Sequence, residues 1–170
     1  MTYSALTGCL VAGRQWVLAL SSFAEAGRLG FAGDRYVLSA GLAACAKGAW
    51  WPLALRLLRQ SPDGRTDLVD AVHVTTVVAA CARGAAWTQA LDLLEAVRRS
   101  GPAPTVETFS AAATALERGC RWQASLQLLA EAQAWGHDLG KKAFAAGIAA
   151  CRQGGNWELA LLLLESMEHR

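Results

Sequence analysis

Apolar residues recur along this chain with the spacing of amphipathic helices, and residues 71–105 show the pattern most clearly. A first stripe follows the i, i+3, i+4, i+7 spacing of one helix face and consists of Val74, Val77, Val78 and Cys81. A second stripe with the same spacing follows, made of Trp87, Ala90, Leu91 and Leu94. We expect Gly84 to end the first helix in the left-handed cap conformation. The basic, Gly and Pro residues of 98–104 should end the second helix. The segment therefore predicts two helices joined by a tight turn.

This helical hairpin is repeated. Tryptophans stand at successive spacings of 35, 36, 35 and 35 residues, at Trp16, Trp51, Trp87, Trp122 and Trp157. A glycine lies three residues before each of them, at Gly13, Gly48, Gly84, Gly119 and Gly154. Two columns held over five copies indicate a stacked array. We expect the tryptophans, which are apolar and in the first turn of each second helix, to pack in the core.

Neither helix of a hairpin can bury its apolar stripe alone, so neighbouring hairpins must stack. The first-helix core columns agree between copies: Tyr3/Leu6/Leu10, Leu38/Leu42/Cys45, Phe109/Ala112/Leu116 and Phe144/Ile148/Cys151. The predicted fold is all-α, a right-handed superhelical α-solenoid of five helix-turn-helix repeats and ten helices. The repeats span residues 1–34, 35–70, 71–105, 106–140 and 141–170, and together they form one solenoid domain. We expect the first repeat to be truncated at its N-terminus, the fifth at its C-terminus, and the chain to be part of a longer array.

Composition changes this picture little. The chain is rich in Ala, has four Pro and carries a net charge of +2, which neither supports nor excludes a nucleic-acid partner. No apolar run reaches the 18 or so residues of a spanning helix, so we expect no membrane partner. No secretory signal or targeting segment is visible.

The sequence contains no pattern typical of a metal site or an active site. Three of the five cysteines are equivalent by repeat position, and no CxxC or Cys/His spacing accompanies them: Cys45, Cys81 and Cys151. We interpret them as small buried residues. His73, His137 and His169 occupy unrelated repeat positions and are expected at the surface. No nucleophile elbow, phosphate-cradling Gly loop or convergent carboxylate pair occurs. We therefore expect no enzyme, cofactor, metal or small-molecule substrate.

The segment "TYSAL" and the form "ACxxGxxWxxALxLL", at a period of 35, resemble the pentatricopeptide repeat in its 35-residue form, and are similar to pentatricopeptide arrays of some algae. The resemblance implies a single-stranded RNA partner, with one nucleotide bound per repeat. It also implies an organellar setting, either mitochondrion or chloroplast. RNA processing, stabilisation or translation would be the context.

The resemblance also implies roles for individual positions. The fifth residue and the repeat-final residue would read the base, and here they are Ser4, Asp34, Ser39, Asp70, Thr75, Thr105 and Ser110. The second residue would pack on the base, which suits Tyr36 and Val72 but not Glu107. The thirteenth would meet phosphate, at Lys47, Arg83 and Arg118. By the family's recognition scheme, Ser4 with Asp34 and Ser39 with Asp70 favour guanine. Thr75 with Thr105 and Ser110 with Gly140 depart from the common pairs, so no base is assigned to them. Ala145, in the fifth repeat, offers no side-chain hydrogen bond.

Helix geometry supports one shared face. At about 100° per residue, the second, fifth and thirteenth positions fall within roughly an 80° arc, opposite the core positions. A small hydroxyl column beside a cationic column is what base and phosphate contacts require.

Each column also has a structural interpretation. Asp34, Asp70 and Thr105 precede helices and would serve as N-caps. The hydroxyl column is compatible with any solvated helix face. Lys47, Arg83 and Arg118 lie in last turns, where cations oppose the helix dipole. The alternative function is therefore a structural array that contacts protein subunits within a large assembly, such as an organellar ribosome.

Overall fold

The computed structural model describes residues 35–59, 70–100, 103–136 and 141–168, with isolated positions in the first 34 residues. These ranges form eight α-helices and contain no strand: α1 (Arg35–Lys47), α2 (Trp51–Arg59), α3 (Ala71–Arg83), α4 (Trp87–Ser100), α5 (Val106–Arg118), α6 (Trp122–Ala134), α7 (Lys141–Gln153) and α8 (Trp157–Glu168). They are the paired helices of the second to fifth predicted repeats. The two helices expected in residues 1–34 lie outside the continuous described ranges.

The helices stack in two layers. The first helices of successive repeats, α1, α3, α5 and α7, pack side by side and form what we term the first-helix layer. Each second helix among α2, α4 and α6 contacts the first helix of its own repeat and that of the next. These second helices, with α8, form the second-helix layer. The all-helical solenoid predicted from the sequence is confirmed for these four repeats.

The core lies between the layers, at the positions that the apolar stripes indicate. Phe109, Phe144, Leu42 and Leu116 are among its largest side chains, and each is at most 1% exposed. Alanines of the first helices fill the remaining space and allow the helices to approach closely, among them Ala44, Ala80, Ala112 and Ala150. Burial of such an apolar side chain stabilises the fold by about 1.5–3 kcal/mol for Leu or Phe.

The glycine and tryptophan columns meet across the repeat boundaries. A Cβ on Gly84 would lie 2.3 Å from Cδ1 of Trp51, and one on Gly119 would lie 2.4 Å from Cδ1 of Trp87. Gly154 has the same relation to Trp122, at 2.3 Å. Each glycine therefore leaves room for the indole of the preceding repeat, and no larger residue fits there without a shift.

The expectation that Gly84 takes the left-handed conformation is wrong. Its φ is −84°, and that of Gly119 is −83°, so both backbones are open to any residue. The positive φ falls one residue later, at Ala49, Ala85, Cys120 and Gly155, with values of 57°, 54°, 54° and 72°. The close approach of the indole, and not the backbone conformation, requires glycine in this column.

The tryptophans are not uniformly buried as expected. Trp51, Trp87 and Trp122 are half-buried under the next repeat. Trp157, which has no following repeat in this sequence to cover it, is 68% exposed. Trp16 lies outside the described residues. The burial of each indole thus depends on the turn of the next repeat, which also brings the Arg121 guanidinium 4.6 Å from the Trp87 ring centroid.

Candidate nucleic-acid interface

The predicted base-contacting residues that the structure describes lie at the N-terminal ends of the first helices. Ser39, Thr75 and Ser110 are in the first two turns of α1, α3 and α5, and all three are half-buried. Asp70 and Thr105 are the N-cap residues of α3 and α5. Ser4 and Asp34 lie outside the described residues, as does the Tyr36 side chain.

Around the second repeat, one side chain joins the two predicted base readers. His73 is the third residue of the third repeat and is 2% exposed. Its Nε2 lies 2.8 Å from the Ser39 hydroxyl, and its Nδ1 accepts a hydrogen bond from the Asp70 backbone N–H at 3.2 Å. The expectation that His73 is a surface residue is therefore wrong. Both ring nitrogens have hydrogen-bond partners, which is what makes a buried imidazole tolerable.

These bonds settle the tautomer of His73. A backbone N–H can only donate, so Nδ1 is the unprotonated acceptor and the neutral ring carries its proton on Nε2. Nε2–H therefore donates to Ser39 Oγ, and the Ser39 hydroxyl proton takes no part in this bond. The half-buried hydroxyl is left able to donate to another group.

The carboxylate of Asp70 has a partner of its own. Arg35, the first residue of the same repeat, forms an ion pair with it, and the two side chains are 54% and 30% exposed. An exposed pair of this kind contributes about 0–1 kcal/mol, so exchanging Arg35 for another donor costs little.

The third repeat has the same arrangement built from threonines. Thr108, fully buried, is the third residue of the fourth repeat. Its Oγ1 lies 2.7 Å from that of Thr75 and 3.1 Å from that of Thr105, and it accepts from the Thr105 N–H at 3.3 Å. Thr75 donates its own proton to the Ala71 carbonyl at 2.7 Å. Thr108 must therefore be the donor to Thr75, and Thr75 has only a lone pair left to offer.

The junctions on either side lack this link. At the third position, the second repeat has Val37 and the fifth has Ala143, which are 3% and 0% exposed. Neither can hydrogen-bond to the fifth residue of the repeat before it. Ser110, the fifth residue of the fourth repeat, therefore has no counterpart of the hydrogen bond that joins Thr75 to Thr108.

The structure supports the capping interpretation for Thr105. Thr105 Oγ1 accepts from the Thr108 N–H at 3.4 Å, and the Thr108 hydroxyl accepts from the Thr105 N–H, which is a reciprocal cap. Capping does not occupy Thr105 completely, because a hydroxyl oxygen has two lone pairs.

The predicted phosphate-contacting residues line the C-terminal ends of α1, α3 and α5, and all three are exposed. Arg83 Nη1 donates to the Ala46 carbonyl at 2.8 Å, and Arg118 Nη1 donates to the Arg83 carbonyl at 3.2 Å. Each guanidinium thereby satisfies a C-terminal carbonyl of the preceding first helix, where positive charge is favourable. Since an arginine has five N–H donors, most of them stay available to an anion.

The second-position residues differ in what they offer. Val72 is 68% exposed and presents an apolar surface beside the Asp70 cap. Glu107 is exposed, and hydrogen bonds from its own backbone N–H and from the Thr105 hydroxyl lower the pKa of its carboxyl group. A negative charge at Glu107 does not favour a phosphate backbone near the fourth repeat.

The remaining titratable groups do not form a metal site. Among the described residues, no group of three or more His, Cys, Asp or Glu could hold a metal ion. Burial raises the pKa of the Cys45 and Cys81 thiols to about 11 and also raises that of Cys151. No helix within the described ranges is long and apolar enough to cross a membrane.

Arg35, His73 and Thr108 were not anticipated as site residues. His73 and Thr108 stand at the third repeat position, and their partners Ser39 and Thr75 lie 34 and 33 residues earlier. The sequence contained one signal. His73 and Thr108 are polar at a repeat position where the second and fifth repeats have Val37 and Ala143.

No protein-family model matches the chain, and no curated protein matches it in sequence. Solved structures do. The chain has a TM-score of 0.74 and 27% identity to the pentatricopeptide repeat protein PPR10 in complex with an 18-nt psaJ RNA element, over its whole length. A triple cysteine-to-serine variant of PPR10 with the same RNA element gives the same values.

The chain spans about a quarter of the length of these PPR10 structures, at 25%. The likeness therefore concerns a run of repeats. The helical hairpins, their two-layer stacking and the 35-residue register agree with the resemblance drawn from the sequence, and the likeness to the PPR10 structures supports that resemblance to pentatricopeptide repeat proteins.

Proposed function

We propose that this chain is a single-stranded RNA-binding array in which each complete repeat addresses one nucleotide. The observation that carries the proposal is the convergence of predicted base readers. Ser39 and Asp70, 31 positions apart in the sequence, bond to one side chain, His73, and Thr75 and Thr105 converge in the same way on Thr108. Half-buried polar groups thus come together at one place for the second repeat and at one place for the third.

The charges support the same surface. Lys47, Arg83 and Arg118 are exposed in the last turns of the helices whose first turns carry the base readers. Polar groups at one end of a helix and cations at the other suit a strand whose bases and phosphates are contacted separately. The RNA in the two PPR10 structures supports this partner for the present chain.

The finer features of the proposal follow from the family. Five repeats with ten helices in a right-handed superhelix would hold the RNA extended, and the second repeat would favour guanine through Ser39 and Asp70. The chain would act in organellar RNA processing, stabilisation or translation, in a mitochondrion or a chloroplast, without bond chemistry of its own.

Fluorescence anisotropy with a randomised single-stranded RNA pool, measured over a range of salt concentrations, tests the proposal. Engagement of three cations gives a log–log salt slope of about −2, from roughly 0.7 per phosphate contact on a single strand. The variant Lys47→Ala/Arg83→Ala/Arg118→Ala should lose both affinity and slope.

A matched control removes the same charge elsewhere. Arg56, Arg59 and Arg99 are exposed on the second helices α2 and α4, and their replacement by Ala should leave the slope near its wild-type value. Equal losses in the two triple variants would mean that general charge, and not this surface, attracts RNA. No binding at low salt would overturn the proposal and leave the alternative, protein contacts within a larger assembly.

A further inference from the structure

We propose that His73 and Thr108 are positioning residues that hold the fifth-residue hydroxyl of the preceding repeat in place and so contribute to its discrimination between bases. This inference rests on the proposed function, because it assigns the mechanism by which the same site discriminates bases. We call the third residue of a repeat the bridging residue where it bonds to the fifth residue of the repeat before.

Both bridging residues donate to the fifth residue of the preceding repeat, but the two fifth residues offer opposite polarities to a base. His73 donates to Ser39 and leaves the Ser39 proton unused by this bond, so the second repeat can offer a donor. Thr108 also donates, but Thr75 has already given its proton to the Ala71 carbonyl, so the third repeat offers an acceptor. The fifth residues are chemically alike, and the difference arises from their hydrogen-bond partners.

Each polarity fits a different base edge. Beside the Asp70 carboxylate, which only accepts, the Ser39 donor suits a base that combines a carbonyl with neighbouring N–H groups, as guanine does. The Thr75 acceptor instead suits a base that presents an amino group or ring N–H at the same place. Unpaired bases expose these edges to side chains.

Burial makes the bridging residues rigid enough for this role. His73 is 2% exposed and Thr108 fully buried, so neither can turn to solvent when RNA arrives. A buried polar group that loses its partner costs about 1–3 kcal/mol, which holds each hydroxyl to the orientation found here. Ser110, opposite Ala143, has no such constraint from its neighbouring repeat.

The test compares variants of equal shape in the full chain. Threonine and valine have nearly the same volume, but valine has no hydroxyl. At position 73 the comparison is therefore between His73→Thr and His73→Val. At position 108 it is between the wild-type protein and Thr108→Val. Each protein is used to select bound RNA from a randomised single-stranded pool, and the base preference at each nucleotide is obtained by sequencing. Thermal unfolding measures stability in parallel.

Each valine variant is expected to change the base preference at one nucleotide only. His73→Val should reduce discrimination about three- to tenfold at the nucleotide addressed by the second repeat, since one net hydrogen bond is lost. Thr108→Val should do so at the neighbouring nucleotide. His73→Thr should retain the preference of the second repeat, because its hydroxyl can accept from Asp70 and donate to Ser39 as Thr108 does with its partners.

Other outcomes overturn the inference. If both valine variants keep the wild-type preferences, or lose all preferences together with thermal stability, the bridging residues are structural only. Wild-type binding without any base preference rejects positioning but leaves RNA binding intact. A wild-type chain that binds no RNA rejects the proposed function itself, and with it any role of His73 and Thr108 in recognition.

Discussion

At the turn between the two helices of each repeat, one residue takes a positive φ, and in the third repeat that residue is Ala85, at 54°. The left-handed region costs a residue with a Cβ about 1–2 kcal/mol, whereas glycine adopts it freely. The fifth repeat has Gly155 at the equivalent position, with φ of 72°. The turn thus keeps its conformation whether or not the residue favours it.

Ala85→Gly should therefore stabilise the protein. Relief of strain exceeds the added entropy of the unfolded chain, about 0.4–1 kcal/mol, and the free energy of unfolding should rise by up to about 1 kcal/mol. Denaturation in urea measures the change. The control is Ala86→Gly, at the next position, which is 9% exposed and should destabilise. Equal destabilisation by the two substitutions would contradict the strain at Ala85.

Burial of the cysteine column predicts a difference in reactivity. The pKa of about 11 for Cys45 and Cys81 leaves roughly one thiolate in a thousand at pH 8, while Cys120 is exposed. In a short iodoacetamide pulse followed by peptide mass spectrometry, Cys120 should be alkylated first. Cys45 and Cys81 should react only after addition of denaturant. Alkylation of Cys81 as fast as Cys120 in the native protein would refute its burial.

The raised pKa of the Cys45 and Cys81 thiols also makes the free energy of unfolding depend on pH. Unfolded thiols lose their protons above their ordinary pKa of 9.0, while the folded protein keeps them until about pH 11. The folded state binds more protons in this window, so the free energy of unfolding should fall as pH rises from 9 to 11. In Cys45→Ala/Cys81→Ala, this part of the dependence should disappear.

At the scale of the helices, the contact between a glycine and the preceding indole joins successive repeats. Gly119 meets the Trp87 indole close to its root, because a Cβ would lie 2.8 Å from Cγ and 3.2 Å from Cβ of Trp87. The ring cannot rotate away from such a contact as the tip of a flexible side chain could. Overpacking of this kind typically costs about 1–3 kcal/mol.

Gly119→Ala should accordingly destabilise the chain by about that amount, although its φ of −83° is fully allowed for alanine. A double-mutant cycle with Trp87→Ala isolates the contact. Once the indole is absent, Gly119→Ala should be neutral or slightly stabilising, since it then only lowers the entropy of the unfolded chain. Additive effects of the two substitutions would show that Gly119 is required for another reason.

The sequence predicted the helices but not the contacts between repeats. Apolar spacing located every described helix, since amphipathic periodicity is a local property of the chain. Gly119 contacts Trp87, which lies 32 residues earlier in the preceding repeat. In the sequence, however, each glycine lies three residues before the tryptophan of its own repeat, so the two columns look like features of one turn. The left-handed assignment of Gly84 was wrong for this reason.

The candidate site was predictable in its positions only. Ser39, Asp70, Thr75 and Thr105 were singled out from their repeat positions, and the structure brings them together in pairs. What joins them, His73 and Thr108, was missed, because a polar residue in an apolar column is interpreted as exposed unless its partner is known. The partner of His73 stands in the preceding repeat, and only stacking of α1 on α3 brings it within 2.8 Å.

On the scale of the whole molecule, the first-helix layer contributes most of the buried apolar residues of the described core. Its helices, α1, α3, α5 and α7, bury most of their apolar positions, whereas α8 exposes Trp157, Leu161 and Leu162. Across the second-helix layer, Arg98 of α4 pairs with Glu131 of α6 at 2.7 Å. Both the polar groups and the cations of the proposed RNA surface are placed by the first-helix layer.

The contact between glycine and tryptophan has a consequence for how such a chain can grow. Each repeat carries a glycine that contacts the tryptophan of the preceding repeat, and a tryptophan that contacts the glycine of the following repeat. A duplication in frame with the 35-residue period therefore supplies a glycine for the older indole and an indole for the older glycine at once. Whole repeats can be gained or lost in a single genetic event without compensating substitutions, whereas an insertion of part of a repeat leaves an indole uncovered.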